Sequence, residues 1–215
     1  MGERRIILWR HGRTSWNAER RFQGQSDIEL DDEGRAQAER AAELLAYLEP
    51  DRISASDLAR AWATAQALSN RTGVQVRADA RLRETFAGEW EGLSRAELLE
   101  RHGDEVARWA SDSAARPGGG ETRIEVADRV VAAITDGLEE LAESETLVVA
   151  THGGAARAGI GALLELPPEQ WACLGVLSNC AWSILSENST GFGPAWRLQE
   201  YNAGSLPTPA LADDR

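Results

Sequence analysis

Two apolar runs in this chain each lead to a histidine that is followed by glycine, and this repeated unit constrains the fold most. The first run covers residues 6–9 and leads to His11, and the second covers residues 147–150 and leads to His152. Short apolar runs bounded by glycine are typical of buried strands. Reactive groups of α/β proteins lie where such strands end. Since the chain has only three histidines, we expect these two to meet at one edge of a parallel sheet.

The arginine beside the first of these histidines indicates phosphoryl chemistry. A neutral imidazole can attack phosphorus and hold the phosphoryl group as a labile N–P bond, which splits one displacement into two easier steps. The other ring nitrogen must be held by a partner so that the attacking lone pair points outward. Phosphoryl oxygens need donors fixed in advance, and an arginine fork suits them better than an ammonium. We therefore predict His11 as a nucleophile and Arg10 as a phosphate-binding group.

The segment around His11 resembles the opening of the histidine phosphatase superfamily, the phosphoglycerate-mutase-like enzymes. The blocks that carry this resemblance follow one another in the family's order and are residues 8–17, 22–24, 30–38, 54–65, 82–92, 118–122 and 149–154. The resemblance implies a phosphoglycerate mutase-like fold of class α/β, with three α/β/α layers and a mostly parallel mixed sheet. Alternation of strand and helix patterns along the chain predicts the same class.

The resemblance also assigns roles to residues elsewhere in the chain. Arg60 would complete a phosphate clamp with Arg10, and His152 would donate a hydrogen bond to a phosphoryl oxygen. Glu84 would protonate the leaving alkoxide and then activate water against the phosphohistidine. Amides donate neutral hydrogen bonds, and glycine lets the backbone come close to a phosphate. The predicted substrate-binding residues are Asn17, Gln23, Gly24 and Gly153.

The expected partner is a small phosphate ester. Residues 24–27, 81–85 and 196–203 resemble a branch of the family that acts on a glucosylated phosphoglycerate. For such a substrate we expect Arg10 and Arg60 to take the phosphate, and Arg13 or Arg116 to meet the carboxylate. A phosphatase for α-ribazole phosphate or sugar phosphates is the alternative.

Three alternatives to hydrolysis through a phosphohistidine stay open. Residues 85–151 hold 6 arginines and 15 acidic residues; this charge suits a bisphosphate poorly and disfavours a cofactor-dependent phosphoglycerate mutase. A metal hydrolase would use His11, His152, Glu84 and Asp57, but no His-x-His or His-Glu-x-x-His spacing supports it, so we predict no metal and no cofactor. A non-enzymatic phosphate-ester-binding protein would need a lost catalytic residue, and none is lost.

Composition limits the partners and the organisation. The formal net charge of −12 over 215 residues repels nucleic acid and anionic membranes. No apolar run approaches the roughly 20 residues of a membrane helix. We therefore expect a cytoplasmic protein without nucleic-acid or membrane partners, with a homodimer left possible. We predict one histidine phosphatase domain over residues 1–202 with a cap-like insertion at 86–120, and a tail at 203–215. The two cysteines are predicted to be reduced and buried.

Local patterns predict the individual elements. Strands are expected at residues 6–9, 52–56, 75–78 (toward an edge), 146–151, 180–186 and 195–201. Helices are expected at residues 32–48, 58–72, 94–101, 105–113, 121–142 and 155–164. Residues 12–30 are predicted as a loop, and Ser56 or Asp57 as the cap of the helix that carries Arg60.

Overall fold

The strands form one mixed sheet in this computed structural model, which describes residues 3–204. They are β1 (Arg5–Arg10), β2 (Arg52–Ala55), β3 (Val76–Ala78), β4 (Thr146–Thr151), β5 (Trp182–Glu187) and β6 (Trp196–Ala203). Their order across the sheet is β3-β2-β4-β1-β5-β6. Strands β1 to β4 are parallel to one another, whereas β5 is antiparallel to both of its neighbours, β1 and β6. The predicted mostly parallel sheet is confirmed, with β3 at its edge.

Helices cover both faces of this sheet. They are α1 (Ser15–Glu19), α2 (Asp32–Ala46), α3 (Ala59–Thr72), α4 (Arg95–Ser111), α5 (Arg123–Glu139) and α6 (Gly153–Leu163). Successive side chains of a strand point to opposite faces. Ile6 and Leu8 of β1 accordingly pack with residues of α5 and α6, and Ile7 and Trp9 pack with residues of α2 and α3. This alternation produces the predicted three-layer α/β/α fold.

The segment between β1 and α2, predicted as a loop, contains the short helix α1. Thr14 and Asn17 form a capping box at its start, because the Thr14 side chain accepts from the Asn17 N–H while the Asn17 side chain accepts from the Thr14 N–H. A helix of 5 residues is too short to show a helical period in sequence. The cap is therefore the signal that could have revealed it.

Residues 86–120 are organised around one long helix. The two helices predicted here are joined end to end in α4, and the predicted break between them lies at His102, whose φ of −133° and ψ of 28° are not helical. Helix α5 begins at Arg123, later than predicted, because Thr122 is its N-cap.

A separate apolar cluster lies beneath α4. Phe22 packs there with Trp90 and Trp109, at ring-centroid distances of 6.0 and 5.7 Å and near-perpendicular ring planes. Edge-to-face contacts of this kind are favourable. The cluster attaches residues 86–120 to the segment that follows α1.

Three smaller predictions concern the two cysteines, the C-terminal tail and membrane-spanning helices. Cys180 is buried and free, but Cys173 is exposed on a short 3-10 helix, Pro168–Cys173, so the prediction of two buried thiols is wrong for Cys173. Strand β6 runs to Ala203, one residue into the predicted tail, and residues 205–215 lie outside the described part. No helix between residues 3 and 204 has the length and apolarity to cross a membrane.

Candidate active site

Parallel pairing of β1 with β4 places two histidines side by side. Arg10 lies opposite Thr151 in the register, so His11 and His152 are the next residues at the carboxyl ends of neighbouring strands. Their ring centroids are 5.1 Å apart. The His11 N–H donates to the Thr151 carbonyl at 3.0 Å, which extends the ladder to the histidine and fixes its backbone.

The His11 ring is held in one tautomer. Its Nδ1 lies 2.7 Å from the Gly12 carbonyl oxygen; since a carbonyl only accepts, Nδ1 must carry the proton. Burial and the charges of Arg60 and Arg10 hold the pKa of His11 well below its usual 6.5. The imidazole is therefore neutral near pH 7, with the Nε2 lone pair available for attack.

The His152 ring is held through its other nitrogen. Its Nε2 lies 2.9 Å from the hydroxyl oxygen of the fully buried Ser56. That hydroxyl also accepts from the Leu58 N–H at 3.3 Å. Burial is the main cause that lowers the pKa of His152 well below 6.5. Its Nδ1 is buried and has no hydrogen-bond partner among the described residues.

Two buried arginines bring positive charge to the same place. Arg10 donates from one terminal nitrogen to the Leu177 carbonyl at 2.6 Å. Arg60 donates to the carbonyls of Gly24 and Ser26 at 2.7 and 2.8 Å. These backbone contacts fix the planes of both guanidinium groups before any ligand binds.

The helix that carries Arg60 is capped from a distance. The Asp27 carboxylate accepts from the N–H of Ala59, the first residue of α3, at 2.7 Å. The predicted cap by Ser56 or Asp57 is therefore wrong. Ser56 faces the second histidine, and the Asp57 carboxylate forms two hydrogen bonds of 2.6 and 2.7 Å with the Arg83 guanidinium.

Asp57, the fourth ligand of the metal alternative, is thus engaged by an arginine. Within residues 3–204, no group of three or more His, Cys, Asp or Glu side chains is arranged to hold a metal ion.

Glu84 lies at the N-terminus of α6. Its two carboxylate oxygens accept from the N–H groups of Gly154 and Ala155 at 2.9 and 3.0 Å, and the Thr85 N–H donates at 2.8 Å. A helix N-terminus favours a negative group. These donors hold the half-buried carboxylate in a fixed position at the pocket.

The predicted amides are joined by one network. Asn17 Oδ1 accepts from the Thr14 N–H at 3.1 Å and from Asn179 Nδ2 at 3.2 Å. Asn179 Nδ2 also lies 3.2 Å from the His11 carbonyl, and the Thr14 hydroxyl donates to Gln23 Oε1 at 3.0 Å. Both amide oxygens therefore accept within the protein.

The two predicted glycines are required by neighbouring protein atoms. Gly24 has φ +51°, and a β-carbon there would overlap the Glu91 carboxylate. A β-carbon on Gly153 would lie 2.7 Å from Val176 Cγ1 and 3.4 Å from the Arg10 guanidinium carbon. Gly153 thus allows the 176–177 segment, and with it Arg10, to approach the start of α6.

Five predicted site residues line one small pocket, and the other four lie around it. The pocket-lining residues are His11, Phe22, Gln23, Gly24, Arg60, Glu84 and Thr85. Phe22 and Thr85 are neighbours in sequence of Gln23 and Glu84 but are not among the predicted site residues. Ser56 and Asn179 were also missed, because their contacts come from distant parts of the chain.

Arg13 and Arg116, which were expected to bind a substrate carboxylate, each form an ion pair with a carboxylate of the chain. Arg13 Nε lies 2.8 Å from an Asp31 carboxylate oxygen. Arg116 makes hydrogen bonds of 2.6 and 2.8 Å to both Glu125 carboxylate oxygens. Binding a substrate there would require breaking these ion pairs, so the expectation for Arg13 and Arg116 is not supported.

Comparisons with known proteins indicate one family. The model of the histidine phosphatase superfamily (branch 1) matches residues 6–203. The chain is 40% identical to the glucosyl-3-phosphoglycerate phosphatase of Mycobacterium tuberculosis, over 95% of this chain and 97% of the relative. It is 35% identical to a probable phosphoglycerate mutase of Citrobacter koseri, over 96% of each chain.

A solved structure agrees with these sequence matches. A mycobacterial glucosyl-3-phosphoglycerate phosphatase complexed with VO3 is similar with a TM-score of 0.87 and 41% identity, over 94% of this chain and 100% of that one. With the family model spanning nearly all described residues, the chain belongs to branch 1 of the histidine phosphatase superfamily.

Proposed function

We propose that the chain hydrolyses phosphate monoesters through a phosphohistidine on His11. The observation that carries this proposal is the neutral His11 ring, held by the Gly12 carbonyl and flanked by two buried arginines. In the first step Nε2 attacks phosphorus, an N–P bond forms and the bond to the leaving oxygen breaks. Arg10 and Arg60 neutralise the phosphoryl oxygens, and their fixed guanidinium groups need no reorganisation as charge develops.

Glu84 manages the proton in both steps. It gives a proton to the leaving alkoxide as the ester bond breaks, and then removes one from the water that attacks the phosphohistidine. The second displacement breaks the N–P bond, releases phosphate and restores the neutral histidine. The backbone donors around the carboxylate hold it in one position for both proton transfers.

His152 acts as a neutral donor to the phosphoryl group. If the Ser56 hydroxyl donates to Nε2, the ring proton sits on Nδ1, the buried nitrogen for which the described residues supply no partner. A phosphoryl oxygen then satisfies that donor. The Asn17 and Gln23 amide groups supply further donors, and Gly24 and Gly153 shape the backbone around them.

The substrate we propose is glucosyl-3-phosphoglycerate, the ester named for relatives 40% identical over most of the chain. A mutase-named relative at 35% identity supports the second candidate, phosphoryl transfer between positions of phosphoglycerate. The acidic balance of residues 85–151 disfavours the bisphosphate that such a transfer requires.

We further propose a cytoplasmic enzyme without cofactor, nucleic acid or membrane partner. We also propose a homodimer, which light scattering can measure.

A rapid-quench experiment tests the intermediate. Phosphate that is labile to acid and stable to alkali should appear on the wild-type protein within one turnover. It should be absent from His11→Ala and retained in the control His102→Ala, which removes the one histidine outside the site. A His11→Ala enzyme with wild-type turnover would refute the mechanism. Release of inorganic phosphate from 3-phosphoglycerate, with and without 2,3-bisphosphoglycerate, separates hydrolysis from transfer.

A further inference from the structure

A second, larger cavity shares no lining residue with the phosphoryl pocket. It is about 460 Å³ in volume and is bounded by one face of α4, the start of α5, Arg157 of α6 and the Pro168–Cys173 helix. This volume is typical of small-molecule sites. The mechanism proposed for the phosphoryl group uses none of its side chains.

The side chains that line this cavity carry a net positive charge, whereas the protein carries a net negative charge. Three arginines line it, Arg95, Arg123 and Arg157, against one acidic residue, Glu169, in a chain of net charge −12. Most other arginines in the described part form ion pairs with carboxylates, whereas the Arg157 side chain is half-buried and forms no hydrogen bond or ion pair with any residue from 3 to 204. An unpaired, partly desolvated guanidinium favours an anionic ligand.

The remaining walls suit an uncharged ring. Trp109 and Trp171 line the cavity together with Leu99 and Val106. The Arg123 guanidinium lies 4.3 Å from the centre of the Trp109 ring, which fixes that indole in place. An indole beside a charged group can pack against the apolar face of a sugar, while Glu169 can accept from its hydroxyls.

Three elements join this cavity to the phosphoryl pocket. On α6, Arg157 follows Gly153 by about one turn, and helical side chains lean toward the N-terminus, which is the active-site end. The chain after Pro168–Cys173 continues to Leu177, whose carbonyl holds Arg10. Phe22 of the phosphoryl pocket contacts Trp109 at 5.7 Å between ring centroids.

We propose that this cavity holds the non-phosphorylated part of the substrate, with a carboxylate on Arg157 and a neutral sugar ring beside Trp109. The inference rests on the proposed function and deepens it by naming the residues that select among phosphate esters. A glycerate unit alone fills little of the volume. An ester that carries both a carboxylate and a sugar engages the arginine and the aromatic wall together.

Substitutions in the cavity test whether its residues select among phosphate esters. In Arg157→Gln the charge is removed, and in Ala110→Phe an exposed α4 position on the cavity wall is enlarged. Each variant is expected to lose at least tenfold more kcat/KM on glucosyl-3-phosphoglycerate than on p-nitrophenyl phosphate. The control Arg101→Gln, also on α4 but outside the cavity, should change neither. Equal losses on the two esters, or no loss on either, would overturn the inference.

A binding measurement separates this inference from the proposed function. Glucosylglycerate, which lacks the phosphate, is titrated into His11→Ala while tryptophan fluorescence is followed. Binding that weakens at least tenfold on adding Arg157→Gln or Ala110→Phe supports the cavity site even if the wild-type protein hydrolyses no ester. Binding unaffected by both substitutions would place the sugar acid elsewhere and refute the site.

Discussion

Ser56→Ala isolates the contribution of the hydroxyl that orients His152. The substitution removes one oxygen from a fully buried position and leaves His152 Nε2 without its 2.9 Å partner. The neutral ring is then free to carry its proton on Nε2. In that tautomer Nδ1 presents a lone pair, which would repel a phosphoryl oxygen.

The size of the effect follows from the cost of an unsatisfied buried nitrogen. That cost is about 1–3 kcal/mol. If all of it falls on the reactive tautomer, kcat decreases by roughly 5- to 150-fold, since 1.36 kcal/mol corresponds to tenfold in rate. The 3.3 Å contact with the Leu58 N–H is long, so its loss should affect stability only slightly.

The assay compares single-turnover phosphorylation in Ser56→Ala with that in Ser54→Ala, which removes a hydroxyl two residues earlier, on β2. Nitrogen NMR of labelled histidine reports the proton position directly. We expect slower phosphorylation and a changed His152 tautomer in Ser56→Ala alone. A wild-type rate with an unchanged tautomer would show that Ser56 does not orient the ring.

The remaining predictions concern the clamp, the acid, the histidine charges and metals. Arg60→Lys should lose more than tenfold in kcat/KM because lysine lacks the two-pronged geometry, whereas Arg71→Lys on the same helix should not; equal activity would place Arg60 outside the clamp. Glu84→Gln should slow alkyl phosphates far more than p-nitrophenyl phosphate, whose leaving group needs little proton assistance; equal losses would limit Glu84 to positioning. The pKa values of His11 and His152 lie well below 6.5, so the unfolded chain binds protons first as the pH falls below 6.5. The free energy of unfolding, measured in urea, should therefore decrease from pH 7.5 to 5.5, and a flat profile would contradict their burial as neutral rings. EDTA should leave turnover unchanged, and inhibition reversed by zinc would favour a metal hydrolase.

The sheet and the meeting of the two histidines could be predicted because both depend on local signals. Apolar runs identify β1 and β4, and parallel strands bring their carboxyl ends to one edge. Once these strands pair in register, His11 and His152 must be neighbours. No knowledge of distant contacts is needed for this step.

Other features of the site depend on contacts that the local sequence does not contain. Ser56 and Asp57 have the residue types of helix caps, but a histidine and an arginine take their side chains, and Asp27 caps α3 from an earlier loop. Arg116 lies within the predicted cap-like insertion at 86–120, yet its side chain forms an ion pair with Glu125. In each case a partner 9 to 96 residues away along the chain decides among locally equivalent roles.

The position of β1 in the sheet has a consequence for biosynthesis. This strand is made first, but its two hydrogen-bonded neighbours are Thr146–Thr151 and Trp182–Glu187. At about 5–20 residues per second, the ribosome needs on the order of 10–35 s to make the intervening chain. An apolar strand, fully buried in the folded state at Ile6–Trp9, has neither edge paired until Thr151 is made, and one edge stays unpaired until Glu187 is made. We expect nascent chains shorter than about 187 residues to depend on chaperones and to lack activity.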